Sequence, residues 1–203
     1  MKLSKGFWAV FTALVVLIAD QVVKIWVKTN MTLYQDFEIT KWFHICFTEN
    51  YGMAFGIEVL GKMFLSIFRI VASIVIIWYL YQTVRRNYKT GYIVCIALIL
   101  AGAVGNIIDS VFYGVIFDSS YGQVATMFPP TGGYSTWLHG KVVDMFYFPI
   151  IRTYWPAWMP YYGGDEFIFF RPIFNVADSA ISVGIVILVL FYRKLLRFGK
   201  EEE

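Results

Sequence analysis

The chain has 203 residues, 59% apolar, 20% aromatic and only 15% charged, with a mean hydropathy of +0.62 and a net charge of +3. A soluble domain needs more surface charge than this, so the composition is that of a membrane protein. The small positive balance implies no nucleic-acid partner, and the two cysteines, Cys46 and Cys95, read as free thiols without metal-type spacing.

Four apolar runs, 7–28, 63–84, 91–117 and 173–192, are each long enough to cross ~30 Å of hydrocarbon at ~1.5 Å per residue. The expected fold class is an all-α polytopic membrane protein: four transmembrane helices in a single membrane domain, 1–203, with a small periplasmic β-sheet segment and a long periplasmic loop. The first run follows Lys2 and Lys5 as a secretory signal would. No A-x-A site follows, however, and Asp20, Gln21 and Lys24 continue on helical spacing, so a retained helix is expected. Segment 29–62 alternates in FEITKWFHICF, a strand pattern, and then becomes Gly-rich in NYGMAFG (50–56). Arg85, Arg86 and Lys89 separate the second and third runs, and Arg193, Lys194, Arg197 and Lys200 follow the last. With Lys2 and Lys5 these make nine of the 17 basic residues, the pattern of cytoplasmic flanks. Both termini are therefore expected inside and segments 29–62 and 118–172 outside. The second of these, dense in aromatics, is expected at headgroup level. Its GGDEF (163–167) matches the signature pentamer of diguanylate cyclases. That chemistry needs a soluble cytosolic domain, so Gly163 and Gly164 read as a turn with Asp165 and Glu166 solvated.

Charged groups in spanning helices face a bundle interior or a polar cavity. Counted from the inner boundary, Asp20 lies at ~20 Å, Asn106 at ~22 Å and Asp178 at ~21 Å, so three helices deliver polar groups to one layer. Asp20 and Lys24 (i, i+4), Asn106 and Asp109 (i, i+3), and Asn175 and Asp178 (i, i+3) each share a helical face. For Asp20 and Lys24, mutual neutralisation stands beside a functional role. Asp178 has no basic residue within a turn. Asp144, in HGKVVDMFYFP, is the candidate partner, placed where the second outer segment would re-enter the membrane. Two carboxylates in one low-dielectric site hold a single proton between them. One then acts as base toward a water attacking a peptide carbonyl while the other donates to the carbonyl oxygen, chemistry that needs no metal or cofactor. His44 and His139 lack ligand spacing and are expected at the surface or interface.

Five stretches in order, DQVVK (20–24), NYGMAFG (50–56), GNIID (105–109), VVDMF (142–146) and FNVAD (174–178), resemble the motifs of lipoprotein signal peptidases. The resemblance implies an aspartic endopeptidase of the bacterial inner membrane. Its substrates would be prolipoprotein signal peptides, cut before a lipobox cysteine that carries a diacylglyceryl group. By motif, Asp144 and Asp178 match the catalytic dyad. Asp20, Lys24, Asn50, Gly52, Ala54, Gly105, Asn106, Asp109, Asn175 and Ala177 match positions that bind substrate or support the dyad. The resemblance further implies a sheet formed by the first outer segment and a mobile flap formed by the second; contact with membrane lipids and a monomer are expected besides. Ser110 stands where the family usually has Arg, so that arginine's ion pairs or polar substrate contacts must be supplied otherwise, with Arg69, Lys141 and Arg152 as candidates. The intervals are also long, 35 residues from Asp109 to Asp144 and 34 from Asp144 to Asp178, with the extra residues placed in 118–140 and 151–171.

Two other classes compete. A small transporter or proton-relay protein would use Asp20, Asp109 and Asp178 as a relay, but the inner two-thirds of helices 2, 3 and 4 is uncharged. A scaffold subunit would explain the helices but not two outer carboxylates with Asn neighbours.

Overall fold

The computed structural model describes residues 3–51 and 61–196. Its first helix, α1 (Lys5–Asn30), buries Asp20, Lys24, Val27 and Lys28 on one stripe, while Val10, Phe11, Leu14, Ile18, Val22 and Trp26 are exposed. Helix α2 (Lys62–Arg85) likewise buries Lys62, Ser66, Ser73 and Thr83 and exposes Phe64, Phe68 and Ile74. Polar residues inside and apolar residues outside is the arrangement hydrocarbon demands. α3 (Thr90–Ile108) continues through a π-helical turn (Asp109–Tyr113) into the single turn α4 (Gly114–Ile116). Together with α1 and α2 this gives, among the described residues, three helices long and apolar enough to cross a membrane.

The fourth apolar helix, α5 (Val176–Phe191), has 16 residues, followed by the short α6 (Arg193–Leu196). At ~1.5 Å per residue α5 is only ~24 Å long. The expected start at 173 is corrected because Ile173 and Phe174 form a strand instead. Asn175 then caps the helix: its side chain accepts from the Asp178 N–H while the Asp178 carboxylate accepts from the Asn175 N–H. Asp178 therefore sits in the first turn of α5, not six residues down it.

The architecture is mixed α/β, not all-α. Strands β1 (Asp36–Thr40), β2 (Phe43–Asn50), β3 (Val142–Tyr147) and β6 (Ile173–Phe174) form an antiparallel sheet in the order β1-β2-β3-β6. β4 (Ile151–Tyr154) and β5 (Glu166–Phe169) make a separate hairpin. Segments 29–62 and 118–172 thus both contribute to the main sheet. Asp144 lies on its buried strand β3, paired with Thr48, rather than on a re-entrant loop. Val27, Met31, Phe47, Phe117, Val143 and Met145 share one apolar core, which seats the sheet on the adjoining ends of α1 and α3. The GGDEF pentamer turns through Gly164 at φ 86°, with Asp165 and Glu166 exposed and Glu166 opening β5. Cys46 and Cys95 are free thiols.

α3 is the central helix, packed by α1, α2 and α5. Its contact with α5 depends on Gly102, where a Cβ would stand 2.3 Å from the Ala177 carbonyl oxygen and 2.6 Å from Ile181. Gly102→Ala should therefore force the helices apart and cost about 1–3 kcal/mol of stability, read as a lower melting temperature in detergent.

Candidate functional site

The site is assembled around one ammonium group. Lys24 and its i−4 neighbour Asp20 face α3 together, both fully buried. Lys24 Nζ lies 2.9 Å from Asp20 Oδ2, 2.9 Å from Asp109 Oδ2 and 2.8 Å from Asn106 Oδ1. Its three N–H donors thus meet three acceptors, and one cation stands against two buried carboxylates. Gln21 closes the cluster, donating to Asp20 Oδ2 and Asp109 Oδ1 at 3.1 Å each, and is itself held by the Tyr113 hydroxyl at 3.1 Å.

Each carboxylate then grips a backbone. Asp20 Oδ1 accepts from the Ala177 N–H at 2.9 Å, and Asp109 Oδ2 accepts from the Val143 N–H at 3.1 Å. Those N–H groups belong to the residues immediately before Asp178 and Asp144. Asp20 fits beneath α5 only because position 105 is glycine: a Cβ there would lie 2.7 Å from Asp20 Oδ2 and 3.2 Å from Ala177 Cβ.

Two asparagines complete the geometry. Asn106 Oδ1 accepts from Lys24 and from Asn175 Nδ2 (3.1 Å), so its amide nitrogen must face Asp178, to which it donates at 2.8 Å. Asn175 Oδ1 accepts the Asp178 N–H at 2.8 Å, which turns its Nδ2 toward Asp144 Oδ1 at 2.7 Å. The Asn175 N–H also reaches Asp178 Oδ2 at 3.4 Å, so Asn175 touches both carboxylates. Burial, and after it the nearby Asp178 carboxylate, push Asp144 up to about 7 against the pull of Lys24 and Asn175. Asp178 and Asn106 open on a cleft of about 210 Å³ between α2, α3 and α5.

Of the sequence-derived site residues, Asp20, Lys24, Gly105, Asn106, Asp109, Asp144, Asn175, Ala177 and Asp178 converge here. Asn50 lies on β2 opposite Val142; Gly52 and Ala54 fall outside the described residues. Lys62, which is not among the three candidate replacements, reaches Ser110. Lys62 donates to Ser110 Oγ at 3.1 Å and to the Tyr51 carbonyl at 2.9 Å. Lys141 instead pairs with Glu49 at 3.1 Å, and Arg152 lies over the Tyr147 ring. Arg69 lines the cleft with Asp178. His44 is buried at 3% exposure with Nδ1 3.0 Å from Asp36, whereas His139 is half-buried, its Nδ1 3.1 Å from the Thr136 hydroxyl.

A second buried cluster went unread in the sequence. Lys28 pairs with Glu49, donates to Ser120 at 2.9 Å, and is ringed by Phe47, Phe117 and Tyr134. Burial alone would raise Glu49, but Lys28 and Lys141 outweigh it and hold the carboxyl below its usual range. Glu49 pairs with Val143 across the sheet, so this cluster fixes the strand register beside Asp144.

A family model described as signal peptidase (SPase) II matches residues 12–194. A lipoprotein signal peptidase of Porphyromonas gingivalis is 54% identical over 204 residues, covering 98% of this chain and 90% of that protein. One from Amoebophilus asiaticus is 36% identical over 196 residues, covering 93% and 79%. Among solved structures, a bacterial membrane enzyme aligns with a TM-score of 0.62 at 28% identity, covering 96% of this chain and 93% of that one.

Lys24→Met would leave Asp20 and Asp109 buried without their shared cation and should destabilise the protein by about 3–5 kcal/mol. Adding Asp109→Asn should recover part of that loss. Equilibrium unfolding in detergent measures both, and a Lys24→Met protein as stable as the parent would refute the counter-charge role.

Proposed function

The chain belongs to the lipoprotein signal peptidase (signal peptidase II) family of aspartic peptidases, which cleave the signal peptides of prolipoproteins, and we propose that Asp144 and Asp178 are its catalytic dyad. The observation that carries this reading is the meeting of two carboxylates, from a strand and a helix, on the single residue Asn175. Asp178 receives N–H donors from Asn106 and Asn175, which suits the base. Asp144, pushed up to about 7, suits the acid.

Asp178 takes a proton from a water as its oxygen adds to the scissile carbonyl carbon, and Asp144 gives its proton to the carbonyl oxygen. The resulting gem-diol collapses: one hydroxyl proton returns to Asp144, the C–N bond breaks, and Asp178 passes its proton to the departing amine. Both carboxyls end as they began, with one proton between them. Asp20, Lys24, Asp109, Asn106 and Asn175 hold the pair in place, and Gly105 and Ala177 allow the close approach this requires.

On the same reading the scissile bond precedes a lipobox cysteine carrying a diacylglyceryl group. The protein is a monomeric single membrane domain of the bacterial inner membrane, with α5 as a fourth span and both termini cytoplasmic. The basic segments at 85–89 and 193–200 support that orientation. It places the dyad near the periplasmic face, beneath the sheet. A relay through Asp20 and Asp109 is disfavoured because both are tied to Lys24.

Asp144→Asn and Asp178→Asn should each slow cleavage of a diacylated prolipoprotein by ~10⁴-fold or more while melting near the parent temperature. Processing at the parent rate by Asp178→Asn would end the dyad assignment. Because Asp144 holds its proton below its raised value and loses it above, kcat/KM should fall about tenfold per pH unit above about 7. A rate flat from pH 6 to about 9 would remove the acid role from Asp144.

A further inference from the structure

A second cavity lies away from the dyad. Glu49 and Lys141 meet on the face of the sheet that carries Val143, whereas Asp144 projects from the other face toward Asn175. On the Val143 side, Tyr51, Asp118, Ser119, Tyr134, Ser135 and Lys141 line a cavity of about 360 Å³. None of the residues gathered around Lys24 borders it.

The walls of this cavity are fastened to the end of the third span. The N–H groups of Tyr134, Ser135, Leu138 and Gly140 donate to the carbonyls of Phe117, Gly114, Val111 and Ser110 at 2.9, 2.8, 3.3 and 2.9 Å. The Tyr134 hydroxyl accepts the Lys141 N–H at 2.7 Å and closes the segment on itself. Gly114 stands 24 residues beyond Thr90, where α3 begins. At ~1.5 Å per residue that is roughly 36 Å, past the ~30 Å of hydrocarbon and level with the headgroups. The exposed rings of Phe112 and Trp137, edge to face at 5.5 Å, stand at the same level, as an aromatic belt does.

The charges around the cavity call for a ligand of both signs. Glu49 is the single carboxylate between two ammonium groups. Lys28 is enclosed by three rings, so the positive charge left over belongs to Lys141, whose side chain is 25% exposed. One of its three N–H donors goes to Glu49 Oε2 at 3.1 Å, and two remain uncommitted among the described residues. Asp118 supplies the opposite sign: its Oδ1 accepts the Thr126 N–H at 2.7 Å, and its Oδ2 has no partner among the described residues. A simple anion would meet repulsion from Asp118, and a simple amine would meet it from Lys141. The volume equals roughly twelve waters at ~30 Å³ each, room for a lipid headgroup whose acyl chains stay in the bilayer.

We propose that this cavity binds the zwitterionic headgroup of a phospholipid bearing a primary amine, of the phosphoethanolamine type, in the leaflet that the sheet covers. Lys141 and the Ser135 hydroxyl hold the phosphate, and Asp118 accepts from the amine. A lipid seated there braces segment 133–141 against the third span and steadies β3, which follows it. The inference does not depend on the dyad assignment.

Native mass spectrometry of the full chain in detergent tests it, with phosphatidylethanolamine, phosphatidylcholine and phosphatidylglycerol of matched acyl chains as probes. The parent should bind phosphatidylethanolamine about tenfold more tightly than phosphatidylcholine, which has no N–H, or phosphatidylglycerol, which has no amine. Asp118→Asn should erase that preference while keeping phosphatidylglycerol binding and parent kcat/KM on a diacylated peptide in lipid-free detergent. Lys141→Met should weaken all three lipids about tenfold, and Lys141→Arg should recover most of the loss. Should Lys141→Met fail to fold, Asp118→Asn carries the test alone. Equal binding of the three lipids by the parent, or a preference that survives Asp118→Asn, overturns the site. Glycerophosphoethanolamine, which lacks acyl chains, should compete far more weakly than the lipid. Displacement at the lipid's own concentration would assign the cavity to a soluble phosphate ester and overturn the lipid.

Discussion

The structure depends on one buried positive charge. Lys24 carries the only ammonium within hydrogen-bonding distance of Asp20 and Asp109 among the described residues. Without it, two buried carboxylates would face each other with no counter-charge. Held by it, each accepts from a backbone N–H one residue ahead of a dyad aspartate. The third donor on Lys24 orients Asn106, and through Asn106 the side chain of Asp178. A single ammonium thereby aligns a helix, a strand and a side chain contributed by separate parts of the chain.

The asparagines extend this logic without adding charge. An amide has a donor end and an acceptor end, so committing the acceptor leaves the donor no choice of direction. In Asn106 the acceptor is taken by Lys24, and in Asn175 by the first turn of α5. Both donors then fall on the dyad. An aspartate at either position would set another negative charge against the pair, and a leucine would leave the carboxylates unheld.

Much of this was legible in the sequence, for identifiable reasons. Polar groups inside apolar runs stand out against their background, so Asp20, Lys24, Asn106, Asp109 and Asp178 were readable together; helical rise set Asp20, Asn106 and Asp178 in one layer, though the count for Asp178 assumed a helix start at 173 rather than 176. The alternation in FEITKWFHICF gave two strands. What failed involved contacts between distant segments. VVDMFY carries a strand pattern too short to separate from a membrane re-entry, and only pairing with β2 and β6 makes it the buried strand that holds Asp144. The pattern N-x-x-D in FNVAD is a helix start, and reading it as such would have placed the beginning of α5 correctly. Lys28, Glu49 and Lys62 were not singled out, because nothing local shows which partners lie tens of residues away.

The capping exchange between Asn175 and Asp178 has a consequence for how much the chain can change. Whatever precedes Asn175, the helix starts there and the carboxylate three residues later takes up its place. The Asp109 grip on Val143 does the same for the strand. Alignment is therefore reset locally just ahead of each aspartate, and no length error accumulates from the segments between. The 35- and 34-residue intervals can grow or shrink as ornaments on a fixed frame. Variation among relatives should concentrate in those intervals, leaving the reset points invariant in spacing to their aspartates.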